Sequence, residues 1–237
     1  IPELLDRPRE EDIFLKNEKL ISQFVGKKLC FCYDNQKHYV LNTACSTFLK
    51  NEKLNLKYIL VMLNSKVLDW YFHILFSDYR ETFPIMKSGN LEELPIPNIP
   101  QFPRPESPNS FCQQPFIALA DIMLEKNKEL QEIKNKFLKL LTQDFSINKL
   151  STKLQNWYEL SWAEFTGELK KNKIELTGIL KEDWSERFNR MKEQAVEIKR
   201  IIDETDSKID LMVYKLYDLT YEEVKIVEPG FSLSEEE

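Results

Sequence analysis

Two short polar stretches carry the side chains best suited to reading nucleic acid. Asn35-Gln36-Lys37-His38 follows a run of alternating residues, and Tyr79-Arg80 through Lys87-Ser88 follows a long apolar one. Base edges in a DNA groove are read by Arg or Lys on guanine and by Asn or Gln on adenine, whereas phosphate is met by Lys and Arg. Asn35, Gln36, Lys37, His38, Tyr79, Arg80, Lys87 and Ser88 are therefore candidate DNA contacts, with Lys27 and Lys28 as further cations of the basic front. Arg80 is the candidate base reader and Lys87 the candidate phosphate contact, because Phe83-Pro84 and Gly89 restrict the loop that carries them. The same residues could equally make ordinary polar turns, with Arg80 paired to Asp78 or Glu81.

Catalytic chemistry is harder to assemble. Four cysteines, Cys30, Cys32, Cys45 and Cys112, lack the spacing of a zinc site and read as buried free thiols in a reducing compartment. His38 and His73 are the only histidines, too few for a metal cluster, and no Ser-His-Asp or Cys-His arrangement stands out. No catalytic and no metal residue is assigned. The formal charge is −6, yet eight lysines face three acidic residues between Lys16 and Lys57, while sixteen acidic residues face eight basic ones from Glu182 to the end. A basic front and an acidic tail suit a protein that meets phosphate with one part and solvent with the other.

These loops need elements to position them. Lys19 to Gly26 reads as a strand, and Lys27 to Tyr33 alternates, with Leu29, Phe31 and Tyr33 on one face. Asp34 to Lys37 has hairpin-turn chemistry, so His38 to Leu41 is expected to return as the partner strand, followed by another strand from Asn42 to Phe48. Asn55 should cap a helix from about Tyr58 to Leu75 that buries Ile59, Leu60, Leu63, Val67, Trp70, Tyr71 and Ile74. Lys87 to Asn90 reads as a tight turn.

Seven of the eleven prolines lie between Pro95 and Pro115, which places an extended connector and a domain boundary there. Beyond it the apolar period becomes seven. One seam runs Phe116, Leu119, Met123, Lys126, Leu130, Ile133, Phe137, Leu140; another steps from Trp184 through Phe188, Met191, Ala195, Ile198 and Ile202 to Leu219. Two such helices most simply pack antiparallel within one molecule, though pairing between molecules would give the same pattern. The expected fold is α+β, with an arm over 1–18, a small mixed recognition domain over 19–104, a linker over 105–115 and a helical spacer over 116–237. No run approaches the roughly 18 apolar residues of a membrane span, so no membrane partner is expected, and the localisation expected is cytoplasmic. The chain opens Ile1-Pro2-Glu3 without methionine and is expected to be part of something longer.

The order of Leu63-Asn64-Ser65-Lys66, a helix ending in aromatics, a Tyr-Arg and Phe-Pro loop, Lys87-Ser88-Gly89 and Leu94-Pro95-Ile96-Pro97 resembles the TaqI-like C-terminal specificity domain of adenine-specific DNA methyltransferases and of the type II restriction-modification enzymes fused to them. The closing stretch from Ile209 to Glu228 is similar to the endings of these enzymes, with Asp218 where glycine is frequent. The family commonly carries a basic residue and a threonine at the end of the first strand, where this chain has Gln23-Phe24-Val25-Gly26. The resemblance implies a module that chooses the DNA sequence, with double-stranded DNA and an N-terminal methyltransferase domain of the same polypeptide as partners; helix packing within one molecule implies a monomer. The resemblance also implies no cofactor in these residues and S-adenosylmethionine in the missing catalytic domain. The motifs of that domain, a glycine-bearing loop and Asn/Asp-Pro-Pro-aromatic, are absent: the five glycines stand singly and no two prolines adjoin. The alternative reading is a coiled-coil scaffold whose acidic helices dock a protein partner without binding DNA.

Overall fold

The computed structural model describes residues 14–41, 43–49, 53–76, 88–104, 110–147 and 149–232. The fold is α+β. Three short strands, β1 (Lys19–Gln23), β2 (Phe31–Asp34) and β3 (Ala44–Thr47), form an antiparallel sheet in the order β2-β1-β3. Ile21 lies opposite both Cys32 and Ser46, and Leu20 opposite Tyr33 and Thr47. Alternation then buries Leu20 and Phe31 on the face that receives the helices.

The expected return strand at His38–Leu41 does not form. β2 takes β1 as its partner instead, and the chain after Asp34 is diverted. Asp34 accepts from the backbone N–H groups of Gln36 at 2.9 Å and His38 at 3.0 Å, and Lys37 takes a left-handed φ of 60°. A chain wound round its own aspartate in this way cannot run straight back as a strand.

The first long apolar stretch also departs from expectation. α1 (Leu56–Asn64) begins where Asn55 caps it, its side chain accepting from Lys57 N–H at 2.8 Å. It ends at Ser65, whose backbone is extended, and α2 (Lys66–Phe76) leaves at 66°. The buried Ser65 hydroxyl donates to the Met62 carbonyl at 2.7 Å. The break resets the helical phase. Ile59, Leu60, Leu63 and Val67 are buried as their period predicts, but α2 buries Val67, Leu68 and Phe72, leaving Trp70 and Tyr71 half-buried and Ile74 58% exposed. Among the described residues no single helix is long and apolar enough to cross a membrane; α1 and α2 together have the composition, and most of their apolar side chains are core. Where a tight turn is expected around Ser88, a short helix α3 (Ser88–Glu92) stands.

The chain divides into two compact units, Ile1–Asp121 with Ser207–Glu237, and Ile122–Asp206. In the first, the early turns of α4 (Gln114–Phe145) and the late turns of α7 (Gly178–Leu216) join the sheet and α1–α2: Phe116, Leu119, Ile209, Val213 and Tyr214 are buried there. Thr220 and Glu223 form a capping box that opens α8 (Tyr221–Val227). The described parts of the proline-rich stretch, 95–104 and 110–115, are docked. Gln113, wholly buried, donates to the Lys53 and Ile99 carbonyls at 3.0 and 2.8 Å and accepts from Asn55 N–H at 2.8 Å. Tyr58 and Tyr217 donate to the Pro97 and Pro95 carbonyls, each at 2.8 Å.

The second unit is built on aromatic rings. Between α4 and α7 run α5 (Thr152–Gln155), a single 3-10 turn Trp157–Glu159 and α6 (Trp162–Lys171), the last opened by a Ser161–Glu164 capping box. Phe137 stacks on Trp157 at 3.8 Å between ring centres and meets Phe165 and Trp184 edge-on. Phe145 lies against Trp184 at 5.2 Å and Asp144 pairs with Arg187 at 3.2 Å, so the end of α4 meets the start of α7 and the two run antiparallel. The seam through Trp184, Phe188, Met191, Ala195 and Ile202 is buried, in part against the inserted aromatic turn and α6.

Replacing Gln113 by leucine keeps the volume and leaves two carbonyls and one N–H without their partner. The loss of a buried partner costs about 1–3 kcal/mol. The urea midpoint of Gln113→Leu should fall accordingly with an unchanged slope.

Candidate nucleic-acid interface

The polar turn after β2 hangs on one buried ion pair. Lys19, wholly buried at the start of β1, places Nζ 2.6 Å from Asp34 Oδ2 and donates to the Phe14 carbonyl at 2.9 Å. Asp34 then binds the two turn amides described above and touches His38 Nδ1 at 2.7 Å. Burial alone would raise the Asp34 carboxyl. The hydrogen bonds from Lys19, His38 and the turn amides outweigh it and hold the group well below the usual carboxylate range. Asn35, Gln36, Lys37 and His38 are all exposed on this clamped turn.

Lys27 and Lys28 are exposed too, on the connection from β1 to β2. Gly26 folds that connection tightly: a Cβ there would lie 3.3 Å from the Lys28 carbonyl oxygen and 3.7 Å from Gln23 Oε1. Beyond it, helix side chains meet the backbone where β2 begins. Asn64 accepts from Phe31 N–H at 2.8 Å and donates to its carbonyl at 3.0 Å, and Asp69 accepts from Leu29 N–H at 2.7 Å. Of the expected contacts, then, six are described and exposed. Tyr79, Arg80 and Lys87, and the side chain of Ser88, lie outside the described residues.

Cys30 and Cys32 are exposed, not buried as the sequence reading has it; Cys45 is half-buried and Cys112 buried. The cause is alternation, since Leu29 and Phe31 take the inward face of this segment. A hydrogen bond with Cys32 draws the Cys30 thiol down to about 6 against the effect of burial, and the same bond raises Cys32.

Sequence reasoning missed Lys19, Asn64 and Asp69. Lys19 and Asp34 are the charged ends of paired strands, a signal readable only once β1 is paired with β2. Asn64 and Asp69 carry no signal before the break at Ser65 is known. Gln23, Phe24, Val25 and Thr43 line a shallow cleft of about 390 Å³ at the far end of β1.

This is an α+β chain with a small sheet, an exposed polar turn fixed at its base and a helical continuation. Residues 1–96 match the TaqI-like C-terminal specificity domain, the family that the ordered motifs resemble, and residues 110–213 match a separate domain of unknown function (DUF8810). The first match begins at residue 1 and so includes the segment expected as an arm; it stops before the long helices and the closing stretch from Ile209. No curated protein matches the chain. The family of the first match is one of DNA sequence-specificity modules, not of catalytic domains.

Two outcomes follow. Because the Asp34 carboxyl is depressed in the folded chain, its contribution to stability is full above the unfolded value of about 4 and is lost as pH falls below that. Acidification from pH 5 to pH 2 should therefore destabilise the wild type more steeply than Asp34→Asn, followed by urea midpoints. Iodoacetamide at pH 7 should label Cys30 before Cys45 and Cys112, and Cys32→Ala should move the labelling midpoint of Cys30 upward.

Proposed function

We propose that this chain is the target-recognition part of an adenine-specific DNA methyltransferase, or of a type II restriction-modification enzyme fused to one. The observation that carries the reading is the match of residues 1–96 to a specificity domain. The exposed set Lys27, Lys28, Asn35, Gln36, Lys37 and His38 supports it, since a clamped turn with amide and cationic side chains suits a groove. On this reading Arg80 and Lys87 belong to a second contact loop, with Tyr79 and Ser88 beside them. Target adenine is positioned for base flipping by this module and methylated by a domain outside these residues, which also holds the S-adenosylmethionine. The chain works as a monomer on cytoplasmic DNA.

Full chain incubated with a random-sequence duplex pool should enrich one short motif, and its affinity should fall steeply with salt as counterions are released. It should transfer no label from a methyl donor. Arg80→Ala should cost about 1–3 kcal/mol and relax preference at one base pair, whereas Lys87→Ala should weaken binding to all sequences alike. Recovery of an unenriched pool by the wild type, or an Arg80→Ala protein with unchanged affinity and unchanged preference, would count against the respective assignment.

A further inference from the structure

Two thiols stand together on the outward side of β2. Alternation turns Leu29 and Phe31 into the core and Cys30 and Cys32 away from it, and both cysteines are exposed. At about 3.3 Å per extended residue their Cα atoms are roughly 6.6 Å apart, at the upper end of the span that a disulfide bridges. A hydrogen bond already joins the two side chains.

Closing the remaining distance breaks no pair of the ladder. β2 is an edge strand among the described residues, and Phe31, opposite Ser22, is its first paired residue, so Cys30 lies just outside the paired register. No other thiol competes. Cys45 stands opposite Ser22 in the same row as Phe31, which puts it on the other face from Cys32, and Cys112 is buried. Among the described residues no group of three His, Cys, Asp or Glu side chains gathers, so the chemistry of the pair is that of two thiols.

We propose that Cys30 and Cys32 form a site oxidised reversibly by hydrogen peroxide to an intramolecular disulfide, with Cys30 as the attacking thiolate and Cys32 as the resolving thiol. The Cys30 sulfur attacks one peroxide oxygen, the O–O bond breaks, and the departing hydroxide takes a proton from solvent to become water, leaving Cys30 as a sulfenic acid. The Cys32 sulfur then attacks the Cys30 sulfur; the S–O bond breaks, the S–S bond forms, and the hydroxyl leaves with the Cys32 proton as a second water. Two electrons pass from two thiols to one peroxide.

The division of roles follows from the hydrogen bond. Cys32 donates to Cys30, which draws the Cys30 thiol down to about 6 and raises Cys32. Oxidation of Cys30 removes the thiolate that holds the Cys32 proton, and Cys32 is freed for the second step. Low pKa, exposure and a neighbouring resolving thiol together distinguish cysteines that oxidise reversibly from inert ones. The inference holds whether or not the chain reads DNA.

The test treats the reduced full chain with hydrogen peroxide across a pH series and follows the peptide carrying both cysteines by mass spectrometry. The wild type should lose two hydrogens from that peptide and regain them with dithiothreitol, at an oxidation rate that rises through a midpoint near the Cys30 value of about 6. Cys32→Ser should stop at the sulfenic acid, which dimedone traps on Cys30, and Cys30→Ser should lose the low midpoint and react only above about pH 8, as an ordinary thiol does. A wild-type midpoint above about pH 8, a disulfide to Cys45 or between chains in place of the Cys30–Cys32 bond, or a Cys32→Ser protein in which dimedone finds nothing on Cys30 would overturn the proposal.

Discussion

The first unit turns on a corner. Between Asn64 and Lys66 the chain bends by 66° around a buried serine, and three successive side chains, Asn64, Ser65 and Lys66, each hold a different part of the unit there. Asn64 pairs with the backbone of Phe31 and Asp69 accepts from that of Leu29, so the outer edge at the start of β2 finds hydrogen bonds in helix side chains. An open strand edge invites association with other chains, and covering it with side chains removes that hazard. On the other side of the bend Lys66 lies 3.0 Å from Asp210 and 2.8 Å from Glu228, while its backbone N–H donates to Asp210 at 3.1 Å. Residues more than 140 positions later thereby close the unit that the specificity-domain match covers only to residue 96.

Much of this was legible in the sequence, and the reasons differ element by element. The cap at Asn55, the burial of Leu60 and Leu63 and the seam from Trp184 to Ile202 follow from local periodicity, which needs no knowledge of partners. The break at Ser65 was not legible: Leu63-Asn64-Ser65-Lys66 holds no proline or glycine, and helical spacing runs through it unbroken. What stops the helix is a serine hydroxyl turned to the Met62 carbonyl and an asparagine engaged by a strand 33 residues earlier. Likewise Asp34 to Lys37 reads as a hairpin turn, yet Lys19 commits Asp34 to a different winding.

The candidate interface was legible in residue type more than in form. Lys27, Lys28 and the turn from Asn35 to His38 are exposed, as the proposed reading requires. Their fixed base, the Lys19–Asp34 pair, could be found only by pairing the strands. Phe24 and Val25 were noticed in the sequence as a departure from the family, not as a surface, because exposure of an apolar residue is a tertiary fact. The docking of the proline-rich stretch escaped notice for the same reason. Gln113 is an unremarkable glutamine until its three backbone partners are assembled around it.

The central proposal is that the first unit, through the connection carrying Lys27 and Lys28 and the turn after β2, is the part that meets DNA. Hydrogen–deuterium exchange of the full chain, with and without random-sequence duplex at low salt, tests it most directly. The account predicts slowed exchange concentrated in residues 23–43, with the aromatic core of the second unit, around Phe137 and Trp184, unchanged. Protection confined to residues 122–206, or no protection anywhere under conditions where the duplex is bound, would contradict it.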